Sequence, residues 1–320
     1  MIDVTALGEL LIDFTPEGKN AQGAALFSQN PGGAPANVLA MVARLGGRTA
    51  FIGKAGQDAF GRYLRQVLTE RDIDASGLVL DGAVPTTLAF VHLDEKNDRS
   101  FTFYRSPGAD QMLTAQEVPL ELIDRCRIFH FGSVSLTRDP SRGAALYAAE
   151  YAGNQGKLVS FDPNLRPMLW ESEAEARAQI EHGIRLADIL KVSEEEMEFL
   201  TGTADLAAGS EYLLNMGPAL VLVSLGEQGS FFRNHAGYGS APPCRVEAVD
   251  TTGAGDAFAG AVLWKVRNMT RAELCSMPVS ALGEIAAFAN AAGALTATGK
   301  GAIPAMPDAE QIRRCLKKEV

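Results

Sequence analysis

The sequence lacks several features that would place it in a common functional class. It has no uncharged apolar run of 18 residues, which predicts the absence of a membrane-spanning helix. Residues 1–4 are not a basic segment leading into a long apolar run, so we expect no signal peptide. No cluster of Lys and Arg offsets the formal net charge of −10, which disfavours nucleic acid and membranes as partners.

Cysteine and histidine are too scattered to suggest a site. The four cysteines, Cys126, Cys244, Cys275 and Cys315, form no C-x-x-C pair, which argues against a metal site or a disulfide framework. We therefore expect reduced thiols and a cytoplasmic location. The four histidines lie in no motif and are assigned no chemistry.

Two familiar nucleotide-binding motifs are absent as well. There is no Walker A sequence and no G-x-G-x-x-G, so neither a P-loop kinase nor a nicotinamide-dependent enzyme is favoured. The composition is that of an ordinary globular protein, with 47% hydrophobic and 21% charged residues. No internal repeat or linker divides the chain, and we interpret residues 1–320 as one α/β domain.

Short apolar runs alternate with helical patterns along most of the chain. Strands are predicted at residues 4–7 with 10–12 (one strand broken at Gly8-Glu9), 49–52, 128–131, 158–161, 189–192 and 220–224. Helices are predicted at residues 34–45, 60–70, 142–151, 173–187, 194–200 and 210–215, and across the Ala-rich stretch 255–298. Such alternation predicts a mostly parallel sheet with helices on both faces.

One region interrupts this alternation. Residues 86–93 and 99–104 are two strand-like runs joined by a polar turn at residues 94–98, which predicts an antiparallel hairpin. We expect the hairpin to leave the main sheet and to form a small β-sheet lid with part of residues 14–30. The lid is thus predicted at about residues 14–30 and 86–105.

The most informative segment is residues 250–260, Asp-Thr-Thr-Gly-Ala-Gly-Asp-Ala-Phe-Ala-Gly. Three residues with little or no side chain stand at its centre: Gly253, Ala254 and Gly255. A helical pattern begins at the last of them. The unpaired N–H groups of such a helix start, at the positive end of the helix dipole, form an anion hole. Asp256 stands beside it, where a carboxylate can take the proton of an attacking hydroxyl. The alternative is an ordinary helix cap with Asp in the first turn.

Residues 250–263 resemble the C-terminal signature of the ribokinase-like carbohydrate kinases, also called the phosphofructokinase-B family. Residues 32–40 and 53–61 resemble the first signature of that family, and the resemblance runs from Gly8 to Pro304. It implies a three-layer α/β sandwich with a mostly parallel central sheet and a small β-sheet lid. It also implies ATP-dependent phosphoryl transfer to a sugar hydroxyl, with Mg²⁺ as cofactor.

The resemblance assigns roles to individual residues. It implies that Asp256 is the catalytic base and that Gly253, Ala254 and Gly255 form the anion hole. Sugar contacts are implied for Asp13, Gly32, Gly33 and Asn37. A carboxylate accepts several hydrogen bonds, which suits Asp13 to two sugar hydroxyls.

The implied nucleotide and metal contacts lie in the second half of the chain. Nucleotide contacts are implied for Lys191, Ser193, Ser224, Gly226, Gly229 and Asn290. Glu196 matches the acidic member of an Asn-x-x-Glu motif that organises Mg²⁺ through water, although Ser193 stands where the family often has Asn. Asp250, Thr252 and the loop of residues 297–302 resemble a monovalent-cation site, with K⁺ as the candidate ion.

Three features favour the fructokinase branch of the family. Ala34-Pro35 replaces the Lys-Gly of ribokinases, Phe103 and Arg105 end the predicted lid, and Arg166 lies in an Asp-Pro-Asn-Leu-Arg segment. The arginines are fixed forks of donors placed to reach a sugar or a phosphate. A 2-keto-3-deoxygluconate kinase and an aminoimidazole-riboside kinase remain alternatives, as does a catalytically silent sugar- or nucleotide-binding protein. The resemblance also leaves open a homodimer formed through the lid.

Overall fold

The computed structural model describes residues 1–93 and 99–318. Its strands are β1 (Ile2–Leu7), β2 (Leu11–Lys19), β3 (Ala25–Gly32), β4 (Thr49–Gly56), β5 (Ile73–Asp81), β6 (Leu88–Leu93), β7 (Arg99–Tyr104), β8 (Cys126–Gly132), β9 (Leu158–Asp162), β10 (Ile189–Ser193), β11 (Leu220–Ser224), β12 (Ser230–Asn234) and β13 (Gly237–Ala241). Its α-helices are α1 (Ala34–Arg44), α2 (Ala59–Glu70), α3 (Leu120–Asp124), α4 (Ser141–Asn154), α5 (Glu173–Leu186), α6 (Glu194–Thr201), α7 (Leu206–Asn215), α8 (Ala254–Val266), α9 (Arg271–Ser276), α10 (Val279–Thr296), α11 (Ala302–Ala305) and α12 (Ala309–Lys318). The predicted turn at residues 94–98 lies outside the described residues.

Nine strands form the central sheet, in the order β13-β12-β11-β10-β9-β8-β1-β4-β5. The pairings from β11 to β5 are parallel, and those of β12 with β11 and β13 are antiparallel. Parallel strands are buried on both faces and are therefore apolar throughout, as in Leu-Val-Leu-Val of β11. The predicted mostly parallel sheet is confirmed.

Two hydrophobic cores lie on opposite faces of this sheet. Successive side chains of a strand point to opposite faces. Accordingly, Leu220 and Leu222 belong to one buried cluster and Val221 and Val223 to the other. Helices α1, α8 and α10 pack in the first cluster, whereas α4 and α5 pack in the second. The result is the predicted three-layer sandwich.

The lid is a separate four-stranded sheet in the order β3-β2-β6-β7. Strands β6 and β7 pair antiparallel, as do β2 and β3, and β2 joins the two hairpins through parallel pairing with β6. This confirms the expected hairpin and its partnership with the segment near residues 14–30.

The predicted first strand is wrong in one respect. Residues 4–12 were expected to form one interrupted strand, but β1 ends at Leu7 and β2 begins at Leu11. The N–H of Gly8 still donates to Ile52 of the central sheet at 3.1 Å, whereas Ile12 already pairs with Leu88 of the lid. Both runs are apolar because both are buried, so hydrophobicity does not reveal the change of sheet.

Helix α10 is long and apolar enough, by length and composition, to cross a membrane. Half of its 18-residue window is buried within the protein, and the helix packs against α8, β12 and β13. The core helix of a soluble protein passes the same test. The property is therefore weak grounds for a membrane span.

Cys244 and Cys315 form a disulfide, although 71 residues separate them in sequence. Helix α12, which carries Cys315, packs on α10, and so does β13, which Cys244 follows. The expectation of four reduced thiols is therefore wrong for this pair, whereas Cys126 and Cys275 are free. Folding brings the two segments together, and sequence spacing carries no sign of it.

Candidate active site

A cavity of about 300 Å³ lies where the strand ends, the start of α8 and the lid meet. The predicted site residues that line it are Asp13, Gly33, Asn37, Phe103, Arg166, Lys191, Thr252, Gly253, Gly255 and Asp256. Residues from both ends of the chain thus converge on one space. The carboxyl ends of parallel strands are the usual place for a ligand in an α/β sheet.

Asp256 is buried in the first turn of α8, with 8% of its surface exposed. Asn37, on α1, donates a hydrogen bond from Nδ2 to Oδ2 of Asp256 at 2.8 Å. Burial raises the pKa of Asp256, although the Asn37 hydrogen bond and the positive charges of Lys191 and Arg166 oppose this. A raised pKa makes the carboxylate a stronger base, which suits it to accept a proton from a hydroxyl.

The start of α8 is kept open by glycine. Gly253 caps the helix in the left-handed conformation with φ 78°, and a Cβ added there would lie 2.3 Å from Cβ of Ala302. Only glycine meets both conditions without strain. The N–H of Ala254 donates to the carbonyl of Thr251 at 3.2 Å, whereas those of Gly255 and Asp256 have no partners within the helix and lie at its positive end. This geometry suits the binding of an anion.

Lys191, on β10, places its ammonium group beside the start of α8. Its Nζ lies 3.2 Å from the position that a Cβ on Gly255 would occupy, and 3.0 Å from Oδ2 of Asp162. Burial lowers its pKa, but the carboxylates of Asp162, Glu196 and Asp256 outweigh burial and the net shift is upward. Lys191 is therefore a charged donor beside the predicted anion hole.

Asp13 and Gly32 face each other across the β2–β3 hairpin of the lid. A Cβ on Gly32 would lie 2.1 Å from Oδ2 of Asp13, so glycine at this position leaves room for the carboxylate. Burial raises the pKa of Asp13 to about 7. The negative charge of Asp256 adds to this rise, whereas the positive charge of Arg166 opposes it. Asp13 thus offers acceptor oxygens to the cavity, as a hydroxyl-binding role requires.

Glu9 lines the cavity, and sequence reasoning assigned it no role. It lies between β1 and β2, and its Oε1 accepts a hydrogen bond from the N–H of Ala34 at 2.9 Å. Burial raises its pKa to about 7. The sequence feature that could have identified Glu9 is its position as an acidic residue inside the apolar run of residues 4–12. Glu is rarely fully buried unless it has a partner, so such a position indicates a specific role.

Arg105 is not among the described residues that line the 300 Å³ cavity, and its predicted contact with a sugar stays a prediction. Nε donates to Asp110 at 2.8 Å, Nη1 to Oγ1 of Thr137 at 2.9 Å and Nη2 to the carbonyl of Val134 at 3.1 Å. The side chains of Arg105 and Asp110 are 4% and 1% exposed. Separating a buried, hydrogen-bonded ion pair is costly, so the guanidinium is committed to this cluster. Arg105 lines a neighbouring cavity of about 460 Å³ that shares Phe103 with the first.

The predicted phosphate-side residues lie along the edge where β10 and β11 end. Ser193 and Ser224 are register partners at the ends of these two strands. Gly226 and Gly229 follow in a short turn and take φ values of 55° and 93°. The structure thus brings these four residues to one edge of the sheet.

Asn290, on α10, holds the chain as it leaves β13. Its Nδ2 donates to the carbonyls of Ala241 and Pro242 at 3.1 and 2.8 Å. The structure does not bring every predicted nucleotide contact into the 300 Å³ cavity: Ser193, Ser224, Gly226, Gly229 and Asn290 are not among the described residues that line it.

Glu196, in the first turn of α6, completes a capping box with Ser193, the residue before the helix. Its Oε2 accepts the N–H of Ser193 at 2.8 Å, its own N–H donates to Oγ of Ser193 at 3.2 Å, and Oε1 accepts the N–H of Leu165 at 2.6 Å. Both carboxylate oxygens are thus engaged, which suits an indirect rather than a direct contact with a metal. Within residues 1–93 and 99–318, no group of three or more His, Cys, Asp or Glu is placed to hold a metal ion.

Asp250 ties the segment before α8 to the loop after α10. Its Oδ1 accepts the N–H of Thr252 and its Oδ2 that of Gly301, each at 2.9 Å. The N–H of Asp250 also donates to the carbonyl of Ala297 at 3.1 Å. The residues of the predicted monovalent-cation site therefore adjoin one another.

The sequence and the fold were compared with known proteins. The family model described as pfkB family carbohydrate kinase matches residues 1–309. Fructokinase-1 of Zea mays is 46% identical over 319 residues, which is 98% of this chain and 98% of that protein. A crystal structure of fructokinase with bound ATP from Xylella fastidiosa superposes with a TM-score of 0.92 at 33% identity, covering 100% and 99% of the two chains. A fructokinase double mutant from Vibrio cholerae O395, with fructose, ADP and potassium ion bound, gives 0.87 at 35% identity over 98% and 97%.

Proposed function

The chain belongs to the pfkB family of carbohydrate kinases, and from this premise we propose that it is an ATP-dependent fructokinase. It transfers the γ-phosphoryl group of ATP to D-fructose and forms fructose 6-phosphate. The observation that carries this proposal is the buried Asp256 at the opening of α8, in a cavity shared with Asp13 and Asn37. The near-full-length similarity to plant fructokinases specifies the sugar.

The alternatives are not favoured. The relatives of high identity are fructokinases, not kinases of ketodeoxy sugar acids or of ribosides. A catalytically silent protein would be expected to lack the base or the glycines of the anion hole, and this chain keeps both.

The proposed reaction assigns one task to each group. Asp256 accepts the proton of the 6-hydroxyl as its oxygen forms a bond to the γ-phosphorus, and the bond from that phosphorus to the β,γ-bridging oxygen breaks to release ADP. The N–H groups at the start of α8 and the ammonium of Lys191 stabilise the charge on the transferring group. Asn37 fixes the orientation of the base through its 2.8 Å hydrogen bond.

We propose Mg²⁺ and K⁺ as the accompanying ions. Mg²⁺ is commonly held by substrate phosphates and water with only one or two carboxylates, which fits a chain with no described cluster of three ligands. Glu196 would act through a metal-bound water, because both of its oxygens already accept N–H groups. The ion would neutralise negative charge on the phosphates. For K⁺ we propose Asp250, Thr252 and the loop of residues 297–302 as the site.

We also propose a homodimer formed through the lid. Leu26, Phe27 and Tyr104 are 44%, 41% and 65% exposed, and Phe90 contacts the rings of Phe27 and Tyr104. This cluster offers an apolar surface to a second lid.

The proposed activity is tested by coupled ADP release with Mg-ATP and a panel of about a dozen sugars and nucleosides. We expect fructose to give the highest kcat/KM, above ketodeoxygluconate and aminoimidazole riboside. Release of ADP that does not depend on any sugar, or a clear preference for another acceptor, would refute the assignment.

A further inference from the structure

The carboxyl group of Glu9 lines the cavity, and neither the sequence motifs nor the proposed reaction assigns it a task. Its Oε1 accepts the N–H of Ala34 at 2.9 Å, but among the described residues its Oε2 is buried and has no hydrogen-bond partner. Glu9 as a whole is 4% exposed. Leaving a buried polar oxygen unpaired is costly, and because Glu9 lines the cavity, a molecule bound there is one source of a partner.

The charges around the cavity indicate what kind of molecule this is. Glu9, Asp13 and Asp256 all line it, and their pKa values are raised by burial. The two cations of the lining are Lys191, which is paired with Asp162, and Arg166. The start of α8 and Lys191 suit an anion at one part of this cavity, whereas Glu9 and Asp13 favour a neutral ligand rich in hydroxyl donors beside them.

Glu9 is also connected to the catalytic base. The N–H that it accepts belongs to Ala34, the first residue of α1, and the same helix carries Asn37. Asn37 in turn donates to Asp256 at 2.8 Å. A ligand hydroxyl bound to Glu9 is therefore linked, through one turn of α1, to the residue that orients the base.

We propose that Glu9 is a specificity-determining residue, whose Oε2 accepts a hydrogen bond from a sugar hydroxyl and selects neutral sugars over sugar acids. The inference rests on the proposed function and adds a contact to the same site. Asp13 and Glu9 then hold the sugar with one carboxylate from the lid strand β2 and one from the segment that leads into it.

The test replaces Glu9 by Gln, and Glu117→Gln is the matched control. Gln keeps an oxygen for the N–H of Ala34 and the volume of the side chain, but it places an amide N–H₂ group where Oε2 stands. Glu117 pairs with Lys54 at 2.8 Å and is not a described lining residue, so its change alters a carboxylate remote from the cavity. We expect the KM for fructose, measured at about pH 8 where most Glu9 is ionised, to rise about 10- to 100-fold in Glu9→Gln, as for loss of a hydrogen bond to a charged group. The KM for ATP and the melting temperature should stay near the wild-type values, and Glu117→Gln should leave both KM values unchanged.

A set of deoxyfructoses identifies the hydroxyl. Each deoxy sugar is measured with the wild type and with Glu9→Gln as a double-mutant cycle. The analogue that lacks the hydroxyl bound by Glu9 should lose affinity in the wild type and little further in the variant. The ratio of kcat/KM for fructose to that for ketodeoxygluconate should also fall in Glu9→Gln. The variant lacks the negative charge that repels the carboxylate of the sugar acid.

The outcomes separate this inference from the proposed function. A wild-type protein that does not phosphorylate fructose refutes the function. An active wild type whose Glu9→Gln variant keeps its fructose KM within about twofold, or shows additive effects with every deoxy sugar, refutes the role of Glu9 alone. Equal increases in the KM values for fructose and ATP would assign Glu9 a structural role, which also overturns the proposal. Glu9→Asp is a second variant: it keeps the charge but withdraws the oxygen, and it should raise the fructose KM as well.

Discussion

Replacing Asp256 by Asn tests the base directly, because it removes the proton acceptor and almost nothing else. The amide is nearly isosteric with the carboxylate, and its oxygen still accepts the hydrogen bond that Asn37 donates at 2.8 Å. Burial raises the pKa of Asp256, so removal of its charge relieves a desolvation cost and the variant should melt at the wild-type temperature or above it. Folding should therefore survive, and the kinetic effect can be attributed to chemistry.

The expected loss follows from the size of general-base catalysis. Such a group contributes about 10²- to 10⁴-fold, which is about 2.7–5.4 kcal/mol of activation free energy at 1.36 kcal/mol per decade. We expect kcat to fall by this factor, with the KM for fructose changed little. The assay is coupled ADP release at saturating ATP and fructose.

The control for this variant is Asp205→Asn. Asp205 caps α7 by accepting the N–H of Ala208 at 2.7 Å, and Asn is an equally good capping residue. It makes the same chemical change away from the site and should leave kcat unchanged. A kcat for Asp256→Asn within tenfold of wild type would remove Asp256 from the mechanism.

Four further predictions use the same assays or simple physical measurements. Gly253→Val should lose most of its kcat, because its Cβ meets Ala302 at a strained φ of 78°; a folded, fully active variant in a thermal melt and assay contradicts the anion hole. Asp13→Ala should raise the KM for fructose about 10- to 100-fold while that for ATP stays constant, and an equal rise in both would indicate a structural role. The free energy of unfolding should fall as pH rises from about 4 to about 7, because burial raises the pKa values of Glu9 and Asp13 to about 7, so that the folded state binds more protons than the unfolded state. Urea unfolding at several pH values measures this, and a profile that rises over the same range contradicts it. Phe27→Ser should convert the lid dimer into monomers in sedimentation experiments, and a wild-type monomer would refute the dimer itself.

The parts of the fold that the sequence predicted well are those with strong local signals. The parallel strands are continuous apolar runs, as in β11, because both faces of the sheet are covered. The lid hairpin was visible because two strand-like runs flank a polar turn without a helix between them. The antiparallel edge strands β12 and β13 were not predicted, since short runs such as Gly-Tyr-Gly-Ser-Ala lack the apolar period that marks a strand.

The candidate site likewise contains some residues that the sequence predicted and others that it did not. Residues 250–260 and 32–37 were identified from motifs, and the structure places residues from both segments around one cavity, among them Asn37, Gly253 and Asp256. Arg105 was identified on the same kind of grounds, yet it pairs with Asp110 and is not among the described residues that line that cavity. Glu9 was overlooked because a single acidic residue in an apolar run carries no motif.

The sequence by itself determined the layered α/β class, the lid and the glycines at the start of α8, whereas the role of Asp256 as the base stays a prediction from the family resemblance. The first three depend on hydrophobic period, on turn residues and on backbone freedom, which act over a few neighbouring residues. Only the tertiary structure decided which charges pair and which stay available. Arg105 with Asp110, Lys191 with Asp162 and Cys244 with Cys315 are partnerships of this kind. In the last two, separate segments of the chain are brought together by the packing of strands and helices. In the two ion pairs, burial then fixes the pairing, because a charge removed from water is stable only beside a partner.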